Sequence, residues 1–109
     1  MEKPAVNLIF QVALCVENME QTLENWRKIF DFDESTIVRK STKDAYEREN
    51  WNGLNYNEQP CEFFHKFCRF SLGGLDIEII EPLDKSPGNP YSDFLIEHGS
   101  GIHHLGVKI

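Results

Sequence analysis

The segment Cys61–Leu83, CEFFHKFCRFSLGGLDIEIIEPL, decides how the rest of the chain is read. Two alternating runs flank Gly73-Gly74, a two-residue signal for a tight hairpin turn. With the turn there, Leu72 faces Leu75, Phe70 faces Ile77 and Cys68 faces Ile79, all on one apolar face. Ser71 then meets Asp76, Arg69 meets Glu78 and Phe67 meets Ile80 on the opposite face. A slip of one residue would exchange the faces, so the register fixes which side of the sheet Glu78 occupies.

Upstream, NLIFQVALCV (7–16) alternates in the same manner. Phe10, Val12, Leu14 and Val16 form an apolar face, while Gln11, Ala13 and Cys15 form a small or polar one. ENMEQTLENWRKIF (17–30) places Met19, Leu23, Trp26, Ile29 and Phe30 at helical spacing, and Asn18 with Gln21 has the form of a capping box. This helix is expected to lay its stripe on the apolar face of the sheet. STIVRK (35–40) reads as a short strand. Ser41–Pro60 is a polar excursion with Asn52-Gly53 and a helical turn expected near Asp44–Glu49. Downstream, NPYSDFLIEHG (89–99) predicts a helix capped by Asn89, begun by Pro90 and ended by Gly99, before a last strand from about Ile102. The order β, α, β, β, β, α, β predicts an α+β fold in one domain spanning residues 1–109.

Composition narrows the function classes. The 109 residues carry 18 acids against 11 Lys and Arg, a net charge of −7. Such a field opposes nucleic acid and anionic membranes, whose affinity comes from basic side chains. Arg39, Lys40, Lys43 and Arg48 are the nearest approach to a basic cluster and read as a solvated edge. No apolar run reaches spanning length, and MEKPAVNLIF has no signal-peptide pattern. Cys15, Cys61 and Cys68 are odd in number and lack CxxC spacing, so reduced thiols and a cytoplasmic location are expected.

Gln11, Glu78 and His104 fall mid-strand on the face away from the first helix. An amide oxygen, a carboxylate and an imidazole form a mixed N/O set suited to a divalent Zn, Mn, Co or Ni ion with open positions for substrate. The same residues admit a plainer account. Glu78 can pair with Arg69 across the hairpin, Gln11 can bond to nearby backbone, and His104 can be without a role. His103, one residue earlier, is expected on the opposite face. Residue pattern alone leaves both accounts open. No nucleophile motif accompanies His65 or His98, and LGGLD is a turn, not a phosphate loop. FQVALCV (10–16) aligned with HHLGVKI (103–109) pairs Gln11 with His104 and Ala13 with Gly106, as if the last strand began a second copy of the βα unit.

GGLDIEIIEPL and SPGNPYSDFLIEHGSGIHHLGVKI together resemble the vicinal-oxygen-chelate superfamily, in its methylmalonyl-CoA epimerase and glyoxalase I-like branch. FQVALCVENMEQTLENWRKIFDFD resembles that branch's opening strand and helix, so the likeness covers nearly all of the chain except the loop at 41–60. The resemblance implies a βαβββ module with a mixed curved sheet, followed by a connecting helix and an extra strand. It also implies metal ligands from the first and fourth strands, which fall at Gln11 and Glu78, and from the next module's first strand, at His104. Gln11 stands where the family usually has histidine, a weaker ligand for borderline ions. The family's fourth ligand, a late glutamate of the second module, has no counterpart before Ile109. The chain therefore resembles a first module plus one strand, either half of a two-module protein or a half-size one completed by a homodimer partner.

The activity implied is that of a metal-dependent isomerase or lyase, lactoylglutathione lyase-like or methylmalonyl-CoA epimerase-like. It would act on a small-molecule thioester or hemithioacetal by stabilising an enolate. The general base is left unassigned, with Glu47 and Glu49 as the nearest candidates. The alternatives are a non-catalytic sequestering protein that stacks a planar ligand on Trp51, Tyr56, Phe63 and Phe67, and an inactive fragment.

Overall fold

The structure is a computed structural model describing residues 3, 5–43, 55–56, 59–60 and 64–109. The elements run β1 (Leu8–Cys15), α1 (Met19–Arg27), a 3-10 turn (Glu34–Thr36), β2 (Val38–Ser41), β3 (Asn55–Tyr56), β4 (Gln59–Pro60), β5 (His65–Leu72), β6 (Leu75–Pro82), α2 (Pro90–His98) and β7 (Gly101–Lys108). Five strands form one open, curved, mixed sheet in the order β2-β5-β6-β1-β7. β1 runs parallel to β6, and every other neighbour in this sheet is antiparallel.

The hairpin has the register its sequence predicts. Gly73 and Gly74 turn the chain at positive φ, and Cα partners run from Leu72↔Leu75 through Arg69↔Glu78 to His65↔Pro82. Pleating then sends Cys68, Phe70, Ile77 and Ile79 to one side, where they meet Val16, Met19 and Leu23 in the core beneath α1. The Asn18 side chain accepts from the Gln21 backbone N–H, which is half of the expected capping box. The other half is absent: the Gln21 amide donates to Asn25 instead. Glu81, two residues beyond Ile79, accepts from the Met19 backbone N–H at 2.8 Å and ties β6 to the helix start.

Three expectations need correction. α1 ends at Arg27, so Ile29 lies outside it and is 71% exposed, and Phe30 is exposed as well. The helix stripe is therefore Met19, Leu23 and Trp26, with Phe32 stacked on Phe70 from the following loop. Asn55–Tyr56 and Gln59–Pro60 pair as a two-residue ladder inside the excursion, too short to leave a periodic signal. Phe10 does not join the core. The β1–β7 register shifts between Ile9 and Gln11, and the added residue turns Phe10 off the helix face. The helical turn expected near Asp44–Glu49 lies outside the described residues.

α2 has the caps read from its sequence. Asn89 accepts from the Tyr91 and Ser92 backbone N–H groups, Pro90 opens the helix and Gly99 exits at φ 75°. It packs on the side of the sheet opposite α1, where the Cys15 thiol donates to the Tyr91 carbonyl. Cys15, Ile80, Pro82, Ser92 and Leu95 are buried in this second, smaller contact. Both described thiols, Cys15 and Cys68, are unpaired, and burial pushes each up to about 11. Among the described residues no helix is long and apolar enough to cross a membrane.

Leu23 is fully buried, so Leu23→Ala is expected to lower unfolding free energy by about 3 kcal/mol in urea denaturation. Ile96, 61% exposed on α2, is the control, and its alanine variant should change stability by less than about 0.5 kcal/mol.

Candidate functional site

β1 lies between β6 and β7, and Ala13 on β1 is the Cα partner of both Glu78 and His104. Alanine is fully buried there and projects only a methyl group, so the longer side chains on either side can lean across it. Glu78 Oε1 and His104 Nε2 stand 4.0 Å apart. That separation is too long for a hydrogen bond. It suits two donors that could share one ion, since metal–ligand distances of about 2.0–2.2 Å place adjacent donors some 3–4 Å apart.

Two residues along β1, Gln11 is the partner of Asp76 on β6 and of Gly106 on β7. It therefore shares the open face with Glu78 and His104, one pleat further on. Its amide nitrogen donates to Asp76 Oδ2 at 2.8 Å, which leaves the amide oxygen as the atom able to meet a cation. Asp76 also receives Arg69, whose Nη2 donates at 2.8 Å. The cross-strand pair that the sequence allowed between Arg69 and Glu78 is not made: Arg69 turns to Asp76 instead. No other hydrogen bond to Glu78 is present among the described residues. Burial raises its pKa, an effect only partly offset by the charges of Arg69 and His104. A half-buried carboxylate in that condition favours a cation or a proton.

His103 departs from the sequence reading. Simple alternation puts it opposite to His104, yet the β1–β7 register jumps from Ala13↔His104 to Leu14↔Ile102. His103 is the extra residue of a β-bulge, and a bulge brings consecutive side chains toward one side. The two imidazoles meet with Nδ1 atoms 2.9 Å apart. The His103 ring also packs on Tyr91 and Phe94 of α2, with centroids 5.1 and 5.0 Å away. Burial lowers its pKa, His104 lowers it further, and the nearby Pro90 backbone acts in the opposite sense.

Phe10 occupies the matching position on β1. A Cβ at Gly106 would lie 2.9 Å from both Phe10 Cζ and Gln11 Cβ, so glycine is what allows the ring and the amide to sit over that point. The pairing is thus symmetric under exchange of the strands: Gln11 faces Gly106 as His104 faces Ala13, with bulged Phe10 and His103 alongside. The weak repeat between residues 10–16 and 103–109 is a real geometric correspondence.

Beyond Tyr91 lies His65, with centroids 4.7 Å apart. Burial lowers its pKa to about 4, and its Nδ1 is buried with no hydrogen-bond partner among the described residues. On the same face, over β2 and β5, a cavity of about 480 Å³ is lined by Thr36, Val38, Lys40, Phe67, Arg69 and Asp76, among others. Asp76 and His103 are the site residues the sequence reading missed. Asp76 shares the period-2 face with Glu78 and could have been found from it; a bulge leaves no such mark. Glu47, Glu49, Trp51 and Phe63 lie outside the described residues, as does the side chain of Tyr56. No cluster of three or more His, Cys, Asp or Glu that could hold a metal ion occurs among the described residues.

The profile of the Glyoxalase/Bleomycin resistance protein/Dioxygenase superfamily matches residues 10–109. Among curated proteins nothing matches the sequence. Among solved structures, a methylmalonyl-CoA epimerase variant of Streptomyces coelicolor, in complex with 2-nitronate-propionyl-CoA, aligns at 12% identity and a TM-score of 0.47. The alignment covers 94% of this chain and 62% of that one, so this chain spans less than two thirds of its length. At that TM-score the likeness carries no argument about reaction or substrate.

His65 makes stability acid-sensitive. Its folded pKa lies below the unfolded value, so the unfolded chain binds the extra proton as pH falls from about 6.5 to about 4. Wild type should lose at most about 3 kcal/mol of unfolding free energy across that window through this group, and His65→Phe should lose less. Urea midpoints at several pH values read the difference. For Glu78 the sign is opposite: the raised folded pKa costs stability as pH rises through it, so Glu78→Gln should be stabilising at pH 7 and not at pH 4.

Proposed function

The chain belongs to the glyoxalase/bleomycin resistance protein/dioxygenase superfamily, and from that premise we propose a metal-dependent isomerase or lyase acting on a small-molecule thioester or hemithioacetal. The observation that carries this reading is the Glu78–His104 pair. A half-buried carboxylate oxygen faces an imidazole nitrogen across 4.0 Å, with no hydrogen bond between them. Glu78 Oε1, His104 Nε2 and the Gln11 amide oxygen would hold the divalent ion, of the Zn, Mn, Co or Ni kind. When bound, such an ion offsets negative charge developing on a substrate oxygen, which makes removal of an adjacent C–H proton accessible near neutral pH.

The chain's own residues prepare that arrangement. Arg69 fixes Asp76, and Asp76 takes the Gln11 N–H, so the amide oxygen is the end left to face the site. Ala13 keeps the space between the two stronger donors open. Three donors leave coordination positions for substrate or for a further protein ligand.

A second copy is the partner that fits. Leu8, Ile9, Leu105, Val107 and Ile109 are exposed apolar residues along β1 and β7, whose outer edge has no strand partner among the described residues. A homodimer joined there would cover this surface and bring further side chains to the open face, including a base for the proton. A second reading rests on the cavity above β2 and β5, whose Phe67 wall and Lys40 and Arg69 suit a planar anionic ligand held without chemistry.

Metal binding separates the readings. The protein should retain about one cobalt or zinc ion per chain or per dimer after dialysis, and Glu78→Ala or His104→Ala should weaken binding by more than about 100-fold, since even outer-shell losses cost 10–100-fold. Gln11→His should tighten zinc by replacing an amide with an imidazole. Ligand binding that is unchanged in excess chelator would favour the sequestering reading, and failure to retain any divalent ion would overturn the metal-dependent one.

A further inference from the structure

We propose that the cavity over β2 and β5 binds an aromatic monocarboxylate, and that Lys40 is the residue selecting its single negative charge. This rests on the second reading of the preceding subsection and deepens it; no ion is required. At about 480 Å³ the cavity falls within the ordinary size range of small-molecule sites. Strand register builds its walls. Lys40 is the Cα partner of Phe67, and Val38 is the partner of Arg69. Directly opposed side chains share a face, so Lys40 flanks Phe67 across the strand gap and Val38 flanks Arg69. His65 packs on the Phe67 ring from two residues upstream, with centroids 5.6 Å apart, and so gives that wall a fixed neighbour.

Charge decides the ligand. The chain as a whole is acidic, with a net charge of −7, and the cations next to the cavity in sequence are already committed. Arg39 pairs with Glu20 at 2.7 Å, and Lys66 reaches Glu81 at 3.6 Å. Arg69 does line the cavity, but its Nε and Nη2 both donate to Asp76 Oδ2, at 3.2 and 2.8 Å. That fork is the one a carboxylate ligand would need, and Asp76 already fills it. Lys40 makes no ion pair with any described residue. Setting Lys40 and Arg69 against Asp76 leaves the lining with one uncompensated positive charge. A carboxylate balances it. A phosphate dianion would bring a second negative charge toward Asp76. An ammonium is a point charge with three rotatable donors, so it meets a carboxylate without needing a fork. Phe67 and the 47% exposed Val38 supply apolar cover, which a flat aromatic ring uses better than an aliphatic chain.

The test is titration calorimetry in excess chelator with 2-naphthoate, neutral 2-naphthamide and 2-naphthyl phosphate, probes that share one ring system. Wild type should bind 2-naphthoate about tenfold more tightly than the amide. It should also prefer 2-naphthoate to the phosphate at about pH 7.5, where the phosphate is largely dianionic. Backbone proton–nitrogen NMR shifts on adding 2-naphthoate should centre on residues 38–40 and 67–71. Lys40→Met keeps the side chain's length without its charge and should erase the advantage of 2-naphthoate over the amide. Lys40→Arg should retain most of that advantage, and Phe67→Leu should weaken both probes alike. Equal affinity of wild type for 2-naphthoate and the amide, a reading that needs no variant to fold, would overturn the proposal. Undiminished 2-naphthoate binding in Lys40→Met, or shifts centred elsewhere, would also overturn it. Preference for the phosphate would overturn the monocarboxylate assignment and leave the planar-anion reading standing. Binding of none of the probes would overturn both.

Discussion

The site depends on the placement of β1. It runs parallel to β6 on one side and antiparallel to β7 on the other, and Ala13 is paired to both. Residues on β6 and β7 are otherwise separated by the width of two strand spacings, close to 10 Å. Only a small central residue lets a glutamate and a histidine lean over it until their polar atoms are 4.0 Å apart. The requirement reaches down to packing: Ala13 is fully buried, and a larger side chain would have to fit between Glu78 and His104.

The same strand pair carries a second constraint. Both β1 and β7 accommodate an extra residue, Phe10 and His103, and both place a small residue, Gly106 and Ala13, opposite the longer polar one. Bulges strengthen twist and re-aim side chains. One delivers Phe10 over Gly106, where a methyl group would not fit; the other delivers His103 to His104 and to the underside of α2. The helix that caps one end of the open face is thus coupled to the site through a bulged residue.

Much of this was legible in the residues. Gly73-Gly74 fixed the hairpin register and with it the face of Glu78, because a period of two leaves no freedom once a turn is set. Asn89, Pro90 and Gly99 marked α2 at both ends. What the sequence concealed was every departure from a regular period. Phe10 and His103 were assigned to faces by simple alternation, which an inserted residue inverts. Ile29 and Phe30 continued the helical spacing of α1 past the point where the backbone leaves it at Lys28. Arg69 had two carboxylates within reach, Asp76 and Glu78, and pattern alone could not choose between them. The choice matters, because Asp76 binding both Arg69 and Gln11 is what leaves Glu78 without a direct hydrogen-bonding partner among the described residues.

The account's central claim is that Glu78, His104 and Gln11 meet at one point that an ion can occupy. A crystal structure with cobalt at one equivalent, located by anomalous scattering, tests that position directly. The account predicts a single peak within about 2.0–2.2 Å of Glu78 Oε1 and His104 Nε2, with the Gln11 amide oxygen as a third donor. A peak elsewhere, or none while Glu78 and His104 stay in place, would contradict it.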